Sequence, residues 1–173
     1  MTANANSGTK LIRVVVVCGI VLGLLLLLFV PFESERYERA LFSGNTDQIR
    51  AALQVESHPN RFVYPLTLEN RLRRLFGFGL VGRTHPMLVA LENGSIEAVR
   101  ELAAGGVDVN GHDGTGYRAL ALAAHRGDVK VSEALLDLGA DPNLRWKDGT
   151  PIHQDATPAI RKLFVKRGVR LIP

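Results

Sequence analysis

The chain has 173 residues, and its 21 lysine and arginine residues against 17 aspartate and glutamate residues give a formal net charge of +4. This length fits one modest domain with an appendage. Lys10 and Arg13 account for part of that charge, and the remainder is too small for the basic footprint of a nucleic-acid-binding protein.

Residues 14–30 form the first predicted element, a run of seventeen residues without a charged side chain that reads VVVVCGIVLGLLLLLFV. A helix of this length, rising about 1.5 Å per residue, nearly spans the ~30 Å hydrocarbon core of a bilayer. A cleaved signal peptide would have a shorter apolar region, about 7–15 residues, followed by a small-x-small site that is missing here. Cleavage before Cys18, as in a lipoprotein, is disfavoured because most of the apolar run follows this single cysteine. The pattern predicts one uncleaved transmembrane helix.

Charges on either side of this helix predict its orientation, because lysine and arginine are enriched on the cytoplasmic side. Lys10 and Arg13 precede the apolar run, and Arg36 and Arg39 follow it among acidic residues. The asymmetry is small, and it favours residues 1–13 as a short polar cytoplasmic tail. We expect that tail to be disordered and the rest of the chain to lie outside the cytoplasm.

Two later segments repeat one pattern at a spacing of 33 residues. They are residues 94–110, GSIEAVRELAAGGVDVN, and residues 127–143, GDVKVSEALLDLGADPN. A fixed period of this size is typical of a solenoid, in which each unit buries its apolar face only against its neighbours.

Both segments resemble ankyrin repeats, which consist of a turn, a helix opened by Thr-Pro-Leu-His, a turn with glycine, a second helix and a Gly-Ala-Asp-x-Asn ending. Residues 85–94, HPMLVALENG, and residues 118–127, RALALAAHRG, fill the position of the first helix. Glycines, which adopt a positive φ without cost, stand at the inter-helix turns and second-helix ends, namely Gly94, Gly127, Gly106 and Gly139. The resemblance implies an all-α ankyrin-repeat solenoid with repeats at 85–117 and 118–149.

Weaker matches extend the array in both directions. Residues 44–53, GNTDQIRAAL, match a second helix, with Asn60 in the register of Asn143 and a first helix expected at about 35–43. Residues 148–153, DGTPIH, match the helix-opening motif, but three residues are then missing before the next helical segment. Terminal units of solenoids are usually atypical. About four units are therefore predicted, with a degenerate first unit at 35–60 and a truncated capping unit at 150–173.

A basic insertion at 61–84 separates the first two units, and it carries five arginines against one acid, Glu69. Part of it, residues 68–76, LENRLRRLF, has the apolar spacing of a short amphipathic helix. Insertions in solenoids often fall on the binding face. One interpretation packs this segment on the repeats with its arginines in water. The other makes it a membrane-surface or partner-binding element, for which the candidates are Arg71, Arg73 and Arg74.

Motifs for catalysis or cofactor binding are weak throughout the chain. Residues 77–82, GFGLVG, match G-x-G-x-x-G, but neither a preceding strand nor a following helix start accompanies them, so a flexible or membrane-apposed loop explains the glycines better. The five histidines lack metal-ligand spacing, and no serine or cysteine has the setting of a nucleophile. We predict no catalytic residue, cofactor or metal. An enzyme with a site in the insertion is the least favoured alternative.

The turns that join the units supply the remaining candidates. In the ankyrin family such projecting turns, called fingers, usually form the partner site with the inner helical surface. Residues 111–117 include His112 and Tyr117, and residues 144–149 include Trp146 between Arg145 and Lys147. An exposed tryptophan beside arginine is a favoured hot-spot composition. The alternative for Trp146 is a side chain folded back over the last repeat as part of its cap.

These features together predict a non-catalytic protein–protein interaction module tethered to a membrane through residues 14–30. The partner is expected to be another protein, with neither nucleic acid nor a small-molecule substrate involved. We expect a bacterial inner membrane, with the repeats in the periplasm. Small bacterial ankyrin proteins of this layout resemble accessory subunits of envelope systems or immunity proteins that neutralise a periplasmic toxin, and the sequence leaves both open.

Overall fold

The computed structural model describes residues 15–19, 21–23, 35–75, 82–146 and 148–171. The predicted tail and most of the predicted transmembrane helix lie outside these ranges. Residues 15–19 and 21–23 are helical, and none of the helices described is long and apolar enough to cross a bilayer. The other helices are α1 Arg36–Ser43, α2 Thr46–Leu53, α3 Leu68–Leu75, α4 Pro86–Glu92, α5 Ile96–Ala104, α6 Ala119–Arg126, α7 Val129–Asp137 and α8 Pro158–Lys166.

The helices from α1 onwards, apart from α3, are stacked in two parallel rows. Helices α1, α4 and α6 contact one another in sequence, and α2, α5, α7 and α8 form the second row. Each pair, α1–α2, α4–α5 and α6–α7, also packs internally. Helix α4 is buried from Pro86 to Leu91 because α1, α5 and α6 cover it, which explains its apolar sequence without helical periodicity. The described part of the chain is thus the all-helical solenoid that the repeat pattern predicts.

The same turn joins the two helices of each pair. A glycine with a positive φ is followed by a residue whose side chain accepts a hydrogen bond from a backbone N–H in the first turn of the second helix. Such a cap satisfies an N–H group that has no partner within the helix. The dipeptides are Gly44-Asn45, Gly94-Ser95 and Gly127-Asp128. The degenerate first pair therefore uses the same turn chemistry as the two clear repeats.

An asparagine at the end of each of the first two pairs ties it to the next. Asn60 donates a hydrogen bond to the Gly106 carbonyl at 3.1 Å, and Asn110 donates one to the Gly139 carbonyl at 3.2 Å. The two asparagines thus hold equivalent places, although only one of them follows a clear repeat. This contact fixes the register of the first pair against the second.

The last unit has only one helix among the described residues. Turns and bends run from Ile152 to Asp155, where earlier units have their first helix, because the missing residues leave too little chain for one. Helix α8 extends the second row and buries Ile160, Leu163 and Phe164. It therefore packs on α7 at the end of the described array.

The insertion leaves and rejoins the array at one point. Val63 and Thr84 form an antiparallel β-bridge with both N···O distances at 2.9 Å. The two later junctions are closed by similar bridges, His112 with Arg118 and Arg145 with Pro151. The insertion is thus an elongated version of the same connection, and it carries α3 where residues 68–76 predicted a helix. Residues 76–81, which hold most of the glycine motif, lie outside the described residues.

Candidate functional site

The β-bridges bound the fingers in the structure, at residues 112–118 for the first finger and 145–151 for the second finger. In each finger an aspartate accepts a hydrogen bond from the backbone N–H two residues later. Asp113 Oδ1 accepts hydrogen bonds from the backbone N–H groups of Thr115 at 2.8 Å and Tyr117 at 3.1 Å. Asp148 Oδ1 accepts one from the backbone N–H of Thr150 at 2.9 Å. Each finger is thus shaped by an aspartate near its tip, and Asp113 also holds the backbone of Tyr117.

These hydrogen bonds keep both carboxyl groups charged. Burial raises the pKa of Asp113, but the hydrogen bonds from Thr115 and Tyr117 outweigh it, and the net pKa lies below its ordinary value. The backbone hydrogen bond from Thr150 lowers the pKa of Asp148. Both side chains are therefore anionic at neutral pH.

Tyr117 and Trp146 bring the two fingers into contact. Their ring centroids are 5.0 Å apart, and the rings meet edge to face at 72°. Such pairs contribute about 0.5–1.5 kcal/mol beyond their buried area. Tyr117 is 51% exposed, whereas Trp146 is partly buried against the hydrophobic core. Trp146 is therefore partly packed on the core and also belongs to the surface between the fingers.

A concavity of about 400 Å³ opens beside this aromatic pair. Helix α6 contributes the Leu122 and His125 side chains, and the turn before α8 contributes Asp155. The two fingers supply the other lining residues, Thr115, Tyr117, Trp146, Asp148 and Thr150. The concavity thus joins the fingers to the adjacent face of a first-row helix, which is where the resemblance placed a partner.

The charge of this concavity is negative. Asp148 and Asp155 line it, and neither forms an ion pair with a residue that the structure describes. No lysine or arginine is among its described lining residues. A partner would therefore meet aromatic surface beside two carboxylates that pair with no cation in the described part of the chain.

The other candidate residues of the fingers lie outside this lining. His112 is exposed, and its Nδ1 accepts a hydrogen bond from the Gly114 N–H at 3.0 Å. Arg145 is also exposed and donates to the Gly149 carbonyl at 2.8 Å. Lys147 lies outside the described residues. Of the predicted finger residues that the structure describes, Tyr117 and Trp146 are thus the two that share one site.

The arginines of the insertion are divided between two environments. Arg71 donates to Glu35 at 2.9 Å, and Arg74 donates to Glu38 at 2.8 Å. Their side chains are only 17% and 14% exposed, so these two do not lie in water as the interpretation of a segment packed on the repeats had it. Arg73 is on the outer side of α3 and pairs with its helical neighbour Glu69 at 2.9 Å.

Glu35 and Glu38 are fully buried, so their charges would destabilise the fold if they had no ion-pair partners. Burial raises the pKa of Glu35, but hydrogen bonds from Arg39 and Arg71 and the charges of Arg71 and Arg74 reverse that effect, so its net pKa is lowered. The insertion helix is therefore held against the start of α1 by ion pairs in a nearly dry environment.

Sequence reasoning did not identify Asp148, Asp155 or His125 as site residues. Asp148 lies two residues after Trp146, and its place in a finger was the signal available. His125 and Asp155 come from different units, and only packing brings them together. Leu122 is partly buried against the core and also lines the concavity.

Comparison with known proteins gives a consistent result. A family model described as ankyrin repeats (3 copies) matches residues 40–145. Human ankyrin repeat and SOCS box protein 16 is 30% identical over 125 residues, which cover 69% of this chain and 27% of that protein. Human SH3 and multiple ankyrin repeat domains protein 1 is 30% identical over 140 residues, 73% of this chain and 6% of that protein. The chain thus matches only a small part of the length of these relatives.

A solved structure shows the same fold at lower sequence identity. The crystal structure of the human ASB11 ankyrin repeat domain superposes with a TM-score of 0.55 and 19% identity. The match covers 77% of this chain and 52% of that chain.

Proposed function

The chain belongs to the ankyrin-repeat family, and from this premise we propose that it is a non-catalytic protein-interaction module tethered to a membrane. Ankyrin repeats generally bind other proteins and are generally non-catalytic. The binding face that we propose is the concavity between the two fingers.

The observation that carries this proposal is the position of Tyr117 and Trp146. A half-exposed tyrosine in edge-to-face contact with a tryptophan, at the rim of a concavity, offers a rigid aromatic surface for a partner. Aromatic side chains are enriched among the residues that dominate binding energies. They lose little conformational entropy on binding because they have few rotatable bonds.

The proposed tether is the uncharged run at 14–30. Val15, Val16 and Val17 are each more than half exposed and make no part of the repeat core, as expected of side chains that face lipid. With Lys10 and Arg13 on the cytoplasmic side, the repeats would lie in the periplasm of a bacterium and meet their partner there. The basic insertion comes directly after the first unit. On its helix α3, Arg73 is the arginine that faces outwards.

Site-specific cross-linking in membranes tests this face. A photoreactive amino acid replaces Thr115, which is exposed and lines the concavity, or Glu97, which is exposed on α5 and does not line it. We expect one defined protein adduct from position 115, absent at position 97 and lost with Trp146→Ala. Equal adducts at both positions, or none at position 115, would contradict the proposed face. Identification of the cross-linked protein by mass spectrometry distinguishes an envelope subunit from a toxin, for which the chain would serve as the immunity protein.

A further inference from the structure

We propose that the concavity between the fingers takes a positively charged side chain, a lysine or an arginine, from an exposed segment of the protein partner. This inference rests on the proposed function and specifies the chemistry of the partner.

The aromatic side of the concavity suits a cation. A guanidinium or ammonium group is attracted to the face of a tyrosine or tryptophan ring because the ring face carries partial negative charge. The edge-to-face contact of Tyr117 with Trp146 uses the face of only one ring, and Tyr117 remains 51% exposed.

The acidic side of the concavity completes the match. Asp148 and Asp155 line the same space as the aromatic pair and have no ion-pair partner among the described residues. Asp148 Oδ1 is held by the Thr150 N–H, so the carboxylate keeps a fixed position in its finger. Hydrogen bonds between charged groups are roughly twice as strong as neutral ones. A cation would thus meet aromatic and anionic groups at one place.

Apolar or anionic side chains of a partner would fit the concavity less well than a cation. A purely apolar side chain would remove Asp148 and Asp155 from water without replacing their hydrogen bonds. An anionic side chain would be repelled by the same carboxylates. Arg145 turns its guanidinium to the Gly149 carbonyl and is not among the lining residues, so it does not neutralise them. The volume of about 400 Å³ is near the lower end of the ~300–1,000 Å³ typical of ligand pockets, which suits side chains of a short segment.

Selection of random linear peptides displayed on phage tests the proposal. The full chain in detergent micelles is the bait, and binding of each recovered peptide is measured by titration. We expect a lysine or arginine to recur at one position in the recovered peptides. The double variant Asp148→Asn/Asp155→Asn should weaken their binding roughly tenfold or more. Asparagine retains an Oδ1 that accepts the Thr150 N–H, so the second finger keeps its turn.

Two further variants sharpen the outcome. Glu97→Gln removes an exposed acid outside the concavity and should leave binding unchanged. Asp155→Lys reverses a charge within it, and a fresh selection on this variant should recover aspartate or glutamate where the original recovered a cation. A charge swap of this kind cannot result from misfolding.

Three results would overturn the proposal, and they differ in what they say about the proposed function. Peptides that need Tyr117 but show no recurring cation and bind the double asparagine variant normally would refute the cationic partner and leave the finger face intact. Peptides with a cation that bind the Tyr117→Ala variant normally would place the cation elsewhere. A selection that yields no peptide dependent on Tyr117 would count against both the cationic partner and the finger face.

Discussion

Tyr117 and Trp146 touch each other, yet the repeat array depends on them to different degrees. Tyr117 is half exposed and is held through its backbone by Asp113. Trp146 is partly buried and packs against the core cluster. Truncating Tyr117 therefore removes mainly surface that a partner would cover, whereas truncating Trp146 also removes core contacts.

Alanine at either position should weaken partner capture. An aromatic anchor in a desolvated interface often contributes at least ~2 kcal/mol, which corresponds to roughly a thirtyfold loss of affinity. Tyr117→Ala should do this with almost no change in melting temperature, while Trp146→Ala should lower the melting temperature as well. Calorimetric melting measures the change in stability, and titration with the partner identified by cross-linking measures the change in affinity. Normal binding by both variants would exclude the fingers and make the outward Arg73 the next surface to test.

Leu135 is the clearest test of the core. It is fully buried in α7, between α5 and α8, and Leu136 beside it is only partly buried. Leu135→Ala should reduce the free energy of unfolding by about 2–5 kcal/mol, because it deletes apolar contacts and leaves a cavity. Leu136→Ala is the matched control and should cost less. Urea unfolding of the full chain in mild detergent gives both values. A loss below ~1 kcal/mol for Leu135→Ala would mean that α7 faces another way.

At the scale of elements, α3 shows how one short helix divides its charges. Arg71 and Arg74 point towards buried glutamates of the first unit, and Arg73 points outwards. Removing one partner of a buried ion pair leaves a charge that water cannot reach, whereas an exposed pair on a helix contributes little. Alanine should therefore lower the free energy of unfolding much more at Arg74 than at its neighbour Arg73.

Arg74→Ala should destabilise the chain by up to about 3–5 kcal/mol, because the fully buried Glu38 would lose its closest cation and keep only Arg61 at 3.1 Å among the described residues. Arg73→Ala is the control and should change stability by about 0.5 kcal/mol or less. Urea titration compares the two variants. Equal effects would show that α3 does not pack on α1 through these pairs.

Glu35 makes the same contact sensitive to acid. Its pKa in the folded chain lies below the ordinary 4.5, so the unfolded chain takes up the proton first as the pH falls. The stability that Glu35 contributes is therefore present above about pH 4.5 and is lost as the pH falls through the lowered folded pKa. Urea midpoints measured from neutral to acidic pH should fall in this window. Glu35→Gln should flatten the curve there, and a curve of unchanged slope would contradict the prediction.

At the scale of the whole molecule, the array extends from the predicted membrane helix towards a cap at its carboxyl end. Helix α3 of the insertion is held by ion pairs at the start of α1, the first described helix after residues 14–30. The concavity lies at the opposite end, where α6, the two fingers and the turn before α8 meet. Linear stacking thus separates the part nearest the predicted membrane helix from the part proposed to bind.

A reporter fused after Pro173 tests the topology that follows from the charges at Lys10 and Arg13. An enzyme active only outside the cytoplasm should be active in this fusion, because the repeats are expected beyond the membrane. A second fusion carrying a reporter active only in the cytoplasm should be silent. The reverse pattern would place the repeats and their partner inside the cell.

The repeat sequence by itself determined the fold and much of its local detail. Gly94 and Gly127 mark turns that need a positive φ, and the apolar pattern between them predicts helices that bury one face. These are short-range constraints that act between neighbouring residues. The period of 33 residues then requires the units to stack on one another. The family followed from the same residues. The uncharged run at 14–30 predicts a transmembrane helix, and this stays a prediction.

The tertiary structure alone decided which distant side chains share a site. Asp155 joins Tyr117 and Trp146 only because α8 caps the array, and Glu38 meets Arg74 across 36 residues only because the insertion folds back on α1. The charge imbalance of the insertion was visible in the sequence, but its partners were not. Repeat periodicity specifies contacts between equivalent positions of neighbouring units, whereas side chains on fingers and insertions have no period. Their contacts are settled by packing and by the need to pair buried charges.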